Sequence, residues 1–157
     1  MSLKPNTSAR IGWAALAALT TGWVLWMALR PGHAADTLNL TPFHESLRAL
    51  RCLLTACPAA SGSARLLFVN VLGNVAVFFP IGLALAGALG PGSRARQVGG
   101  AIGLGAGLSL AIELAQLGIP GRATDVDDLV FNTLGAALGA ACLVVVQRRL
   151  ARGVEGV

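Results

Sequence analysis

The sequence predicts an all-α polytopic membrane bundle of four transmembrane helices, with a short amphipathic helix in the first loop. Three observations lead there. Of 157 residues, 55% are hydrophobic and only 12% charged, with mean hydropathy +0.70, a balance that soluble domains rarely show. Apolar runs at about residues 11–29, 66–89, 98–119 and 129–146 are each long enough to cross a bilayer. The chain also carries 20 glycines, and small residues let membrane helices approach closely. One bundle uses the whole length, so residues 1–157 form a single domain.

Charge excludes one class of function. A net charge of +5 and a pI of about 10.5 would suggest a nucleic-acid partner in a soluble protein. Here the basic residues flank apolar runs in loops and tails, where they act as topology signals. No nucleic-acid partner is expected; the lipid bilayer is. His33 and His44 both lie in the first loop, and Cys52 and Cys57 lack the companions of a zinc site. An extracytoplasmic loop would allow that cysteine pair to form a small-loop disulfide, and two unpaired thiols are an equally open reading.

The first run, Ile11 to Leu29, follows Lys4 and Arg10. Gly32-His33-Ala34 loosely resembles a signal-cleavage site, but the apolar core exceeds the roughly 7–15 residues of a signal peptide, so it reads as the first span. The loop at 30–65 holds several prolines and glycines. Within it, Phe43 to Leu54 sets Leu47, Leu50 and Leu54 at helical spacing with Glu45, Arg48 and Arg51 between, the pattern of an amphipathic helix on the membrane or capping the bundle. The second span carries Asn70, Asn74 and Pro80, and Pro91-Gly92-Ser93 is turn chemistry. In the third span Gly99, Gly103 and Gly107 recur every four residues, predicting a face for helix contact; Gly135 and Gly139 repeat that spacing in the fourth. Lys4, Arg10, Arg94, Arg96, Arg148, Arg149 and Arg152 outweigh the basic residues of the other side, which predicts cytoplasmic N- and C-termini and an extracytoplasmic first loop.

With that topology the polar residues inside the spans meet at one depth. Asn70 and Asn74 share a face at the outer start of the second span. Ser109, Glu113 and Gln116 share a face near the outer end of the third, with Glu113 roughly 9 Å below Ile119 at 1.5 Å per residue. Asp128 and Asn132 share a face at the outer start of the fourth, behind Arg122, Asp125 and Asp127. Charged and amide side chains at membrane depth are costly and usually mark a site. The candidate binding residues are therefore Asn70, Asn74, Glu113, Gln116, Arg122, Asp125, Asp127, Asp128 and Asn132. Each has a plainer role open to it. Thr124 and Asp127 have the spacing of a capping box, the asparagines can bond between helices, and Arg122 can neutralise an aspartate.

These residues resemble the VanZ-like family of bacterial membrane proteins. The matching pattern is Asn39-Leu40-Thr41-Pro42-Phe43, then Asn70-x3-Asn74 with Phe79-Pro80-x-Gly82, then Ser109-x3-Glu113-x2-Gln116, and last Arg122-x2-Asp125-x-Asp127-Asp128-x3-Asn132-Thr133-x-Gly135. It covers residues 39 to 139, and the order and spacing make it specific. The resemblance implies a multi-pass protein of the bacterial inner (cytoplasmic) membrane. It further implies a link to low-level resistance to the glycopeptide teicoplanin, and it supplies no catalytic mechanism.

Three functions stay open at this point. The site binds a cell-envelope component, such as an anionic or lipid-linked cell-wall intermediate, with Arg122 on phosphate and amides on the rest. Alternatively, Asp125, Asp127, Asp128 and Glu113 hold Mg²⁺ or Ca²⁺ for hydrolysis or transfer of a lipid phosphate. In the third reading the protein is a structural membrane-assembly subunit. No residue is assigned a catalytic role.

Overall fold

The computed structural model describes residues 7–32, 38–90 and 93–155. Lys4, His33, Ala34, Pro91 and Gly92, used in the sequence reading, lie outside them. Among the described residues, four helices are long and apolar enough to cross a membrane: Thr7–Ala28, Ser61–Leu89, Arg94–Gln116 and Val126–Gly153. In chain order the elements are α1 (Thr7–Ala28), β1 (Leu38–Asn39), α2 (His44–Leu54), α3 (Ala60–Leu67), a π-helical turn (Phe68–Gly73), α4 (Asn74–Leu89), α5 (Arg94–Gln116), β2 (Thr124–Asp125) and α6 (Val126–Glu155).

Several boundaries differ from the sequence reading. The second span starts earlier, because α3, the π turn and α4 run on without a break, which shortens the first loop. The fourth continues through Arg148, Arg149 and Arg152, since arginine is a good helix former and suits the negative end of the helix dipole. At its start, Thr124 lies in β2, and Asp125 takes the capping role instead. Its Oδ1 accepts the Asp127 N–H at 2.9 Å. Gly90 caps the end of α4, where its φ of 74° suits a residue without Cβ, and Ser93 caps the start of α5, its hydroxyl accepting the Arg96 N–H at 3.3 Å.

α4 is the central helix and packs against α1, α5 and α6, with α5 also on α6. The α4–α6 contact is backbone to backbone. A Cβ on Gly139 would run into the Phe79 carbonyl, and one on Gly82 into the Ala136 backbone. The glycines of the third span behave differently. Gly99, Gly103 and Gly107 are exposed, and a Cβ on any of them would meet nothing within 4 Å. The helix-contact face expected there is corrected: α5 instead turns Ala101, Gly105, Ser109, Ile112, Glu113 and Gln116 inward. Identical spacing gives opposite outcomes, because a small-residue stripe permits close approach without deciding which neighbour arrives.

Two small apolar clusters fill the interior. Val24, Phe78, Ile81 and Ile112 form one; Ala86, Ala101, Ala140 and Leu143 form the other. The outside is more apolar than a soluble surface, with Leu19, Trp23, Leu104, Leu110 and Leu138 exposed, as a lipid-facing belt requires. α2 divides its faces between the two readings offered by the sequence. Ser46 and Ala49 are buried against the bundle, while Leu47, Leu50 and Leu54 point outward. Cys52 and Cys57, with Cα atoms 5.1 Å apart, pair as a disulfide at its end.

Candidate functional site

The end of α1, the π turn and start of α4, the end of α5 and the start of α6 meet at one end of the bundle, the end that also carries α2 and the β1–β2 pair. There they enclose a cavity of about 330 Å³. Val24, Val77, Phe78 and Ile112 give it an apolar floor, and Asn70, Asn74, Glu113, Gln116, Arg122, Asp128 and Asn132 give it polar walls. Seven of the nine candidate residues thus line one space. Asp125 and Asp127 do not.

Asp127 is fully buried and faces the first loop. Its Oδ1 accepts the Phe43 N–H at 2.5 Å and its Oδ2 the Ser46 hydroxyl at 2.9 Å, so it holds the first turn of α2. Phe43 needs this grip, because its φ of 60° is left-handed, a conformation that costs a non-glycine residue about 1–2 kcal/mol. Asp125 is a junction. It accepts from Asn39 Nδ2 at 3.0 Å, and its N–H donates to Glu113 Oε2 at 3.0 Å. The parallel bridge of Leu38 with Thr124 and Asn39 with Asp125 brings the strands together. Asp125 also borders a second cavity of about 450 Å³ with Asn39 and Glu45, and Asn70 lines both spaces.

Arg122 is committed to α1. Nε donates to the Arg30 carbonyl at 2.8 Å and Nη2 to the Met27 carbonyl at 2.6 Å, which satisfies carbonyls that a helix end leaves without partners. Asn74 Nδ2 donates to Asp128 Oδ1 at 2.6 Å, Gln116 Nε2 to the Ala28 carbonyl at 3.0 Å, and Asn132 Nδ2 to Ser109 Oγ at 2.9 Å. Each of these amides spends one of its two N–H donors on the protein wall. Two acceptors, Gln116 Oε1 and Asn132 Oδ1, are buried with no partner. Asn70 lies within the π turn and Asn74 directly follows it; such a departure from α-helix is often found at functional sites.

No three His, Cys, Asp or Glu side chains among the described residues converge to hold a metal ion. Asp127 faces the loop, which removes one carboxylate from the set proposed for Mg²⁺ or Ca²⁺. The sequence reading did not foresee Ser46 or the backbone of Phe43 as partners of Asp127. The available signal was the small, polar Ser46 opposite the leucine face of α2.

A polar cavity walled by spanning helices defines a polytopic α-helical membrane protein with a polar site at one end of its bundle. The VanZ/LLP1 family pattern matches residues 11–147, and the chain belongs to that family. No curated protein and no solved structure matches it.

Proposed function

We propose that the protein binds, in this cavity, the polar headgroup of a cell-envelope amphiphile such as an anionic or lipid-linked cell-wall intermediate. Entry is from the outer leaflet of the bacterial inner membrane, with both termini cytoplasmic. The orientation rests on the excess of arginines at the far end of the bundle, Arg94, Arg96, Arg148, Arg149 and Arg152. One observation carries the binding reading: Gln116 Oε1 and Asn132 Oδ1 are buried without partners beside an open cavity. A buried polar atom left unpaired costs about 1–3 kcal/mol, so helix packing alone gives no reason for two of them. This speaks against the purely structural reading. A bound headgroup with N–H or O–H donors would satisfy both.

Arg122 gives two of its N–H donors to α1, while Glu113, Asp128, Gln116 Oε1 and Asn132 Oδ1 leave acceptors unmet in the walls. The donor-bearing part of the headgroup therefore enters, and any phosphate stays toward the rim. Sequestering or processing such a component would connect the protein to glycopeptide tolerance. Mass analysis of lipids that co-purify with the protein tests the reading. The intact protein should retain an envelope amphiphile, and Glu113→Gln and Asp128→Asn should lose it while still inserting into the membrane. Equal retention by all three would refute it.

A further inference from the structure

Charge balance and donor balance in the cavity agree on one ligand chemistry. Glu113 and Asp128 both line it, and neither has an ion-pair partner among the described residues, where the ion pair found is His44 with Glu45. A carboxylate at membrane depth needs a cation, a proton or strong donors. Asn74 supplies Asp128 with one donor and the Asp125 N–H supplies Glu113 with one, which leaves further lone pairs on both. Gln116 and Asn132, only 7% and 5% exposed, line the same space, and each keeps a buried carbonyl oxygen without a partner. The amide nitrogens of Asn74, Gln116 and Asn132 each spend one of their two N–H donors on the protein wall, whereas the Gln116 and Asn132 oxygens have no partner at all.

We infer that the cavity takes a primary ammonium group, held by Glu113, Asp128, Gln116 Oε1 and Asn132 Oδ1. A primary ammonium has one positive charge and three N–H donors, one for each orphan oxygen and one shared by the two carboxylates. It supplies both what the carboxylates lack and what the orphan oxygens lack. A quaternary ammonium supplies the charge alone. An unsubstituted phosphate supplies neither and would be repelled. The apolar floor of Val24, Val77, Phe78 and Ile112 offers no competing polar partner. This inference rests on the proposal that the cavity is the ligand site, and it names the group that enters.

The test uses the full-length protein in detergent and follows thermal unfolding through the emission of Trp13, Trp23 and Trp26. The probes are a short-chain phosphatidylethanolamine, the phosphatidylcholine with the same chains, and free ethanolamine. The ethanolamine lipid should stabilise the protein at least tenfold more effectively, by half-saturating concentration, than the choline lipid, because only it donates N–H. Glu113→Gln keeps an acceptor toward the Asp125 N–H and removes the charge; it should weaken the ethanolamine lipid about tenfold or more and the choline lipid, which answers the charge alone, by clearly less. Asn132→Ser is the second variant, since Gln116 also ties α1, and should weaken it in the same direction. If free ethanolamine binds as well as the lipid, the ammonium chemistry stands and its source is a soluble amine. Equal binding of the two lipids overturns the ammonium assignment. If an amine-free amphiphile then co-purifies with the protein, the broader proposal survives that failure. If nothing co-purifies and no probe binds, both fall.

Discussion

Removing the Asp127 carboxylate should release the first loop from the bundle. Two hydrogen bonds to a charged acceptor go with it: the Phe43 N–H at 2.5 Å and the Ser46 hydroxyl at 2.9 Å. Bonds to charged groups contribute about 1.5–3 kcal/mol each, so Asp127→Ala should cost the docked state of α2 at least about 3 kcal/mol. The left-handed Phe43, no longer held at φ 60°, adds a reason for the turn to relax. At 1.4 kcal/mol per factor of ten, the undocked population should rise more than about a hundredfold. Trypsin reports that population directly, because Arg48 and Arg51 lie within α2 and cleavage follows the open fraction when opening is fast. The expected result is cleavage at those two arginines about a hundredfold faster than in the unaltered protein in the same micelles. Asp127→Asn is the graded control. It keeps an acceptor for the Phe43 N–H, and the Ser46 hydroxyl can rotate to accept from the new amide, so the rise should stay within about tenfold. Unchanged cleavage in Asp127→Ala would refute the reasoning and assign the docking to the β1–β2 bridge instead.

Two further outcomes follow from packing. Gly139→Ala drives a Cβ into the Phe79 carbonyl and should destabilise the protein by about 1–3 kcal/mol, whereas Gly103→Ala meets open space and should be neutral or slightly stabilising. Unfolding in mixed detergent micelles compares them, and a loss above about 1 kcal/mol at Gly103 would mean that its face is covered by another chain. Arg122→Gln removes charge-assisted bonds to the Met27 and Arg30 carbonyls, so amide hydrogen exchange through the last turn of α1 should quicken about tenfold or more while α6 keeps its protection. Exchange unchanged at that end of α1 would show that Arg122 does not hold it.

Much of the bundle was legible because spanning helices obey local rules. An apolar run near twenty residues long must satisfy its backbone internally, and a helix is how one chain segment does so. The i, i+4 spacing of Asn70 with Asn74 and of Asp128 with Asn132 likewise needed only helical geometry. Neighbouring positions were harder. Asp127 and Asp128 are one residue and about 100° apart on α6, and nothing local says which faces the loop and which the cavity. That depends on the rotation of α6, fixed by the approach of Gly139 and Gly135 to α4. Pairings across long separations were illegible for the same reason: Asn39 meets Asp125 and Arg122 meets Arg30 only once the helices have assembled.

The sequence by itself determined four apolar helices, their polar ends and the set of residues that could share a site, since these follow from hydropathy and a fixed helical period. Only the tertiary structure decided which glycine stripe packs, that Asp127 anchors a loop rather than lining the cavity, and that the Gln116 and Asn132 oxygens are left without partners. Those outcomes depend on how each helix rotates about its axis. Rotation is set by contacts between backbones distant in the chain, where no local pattern records the choice.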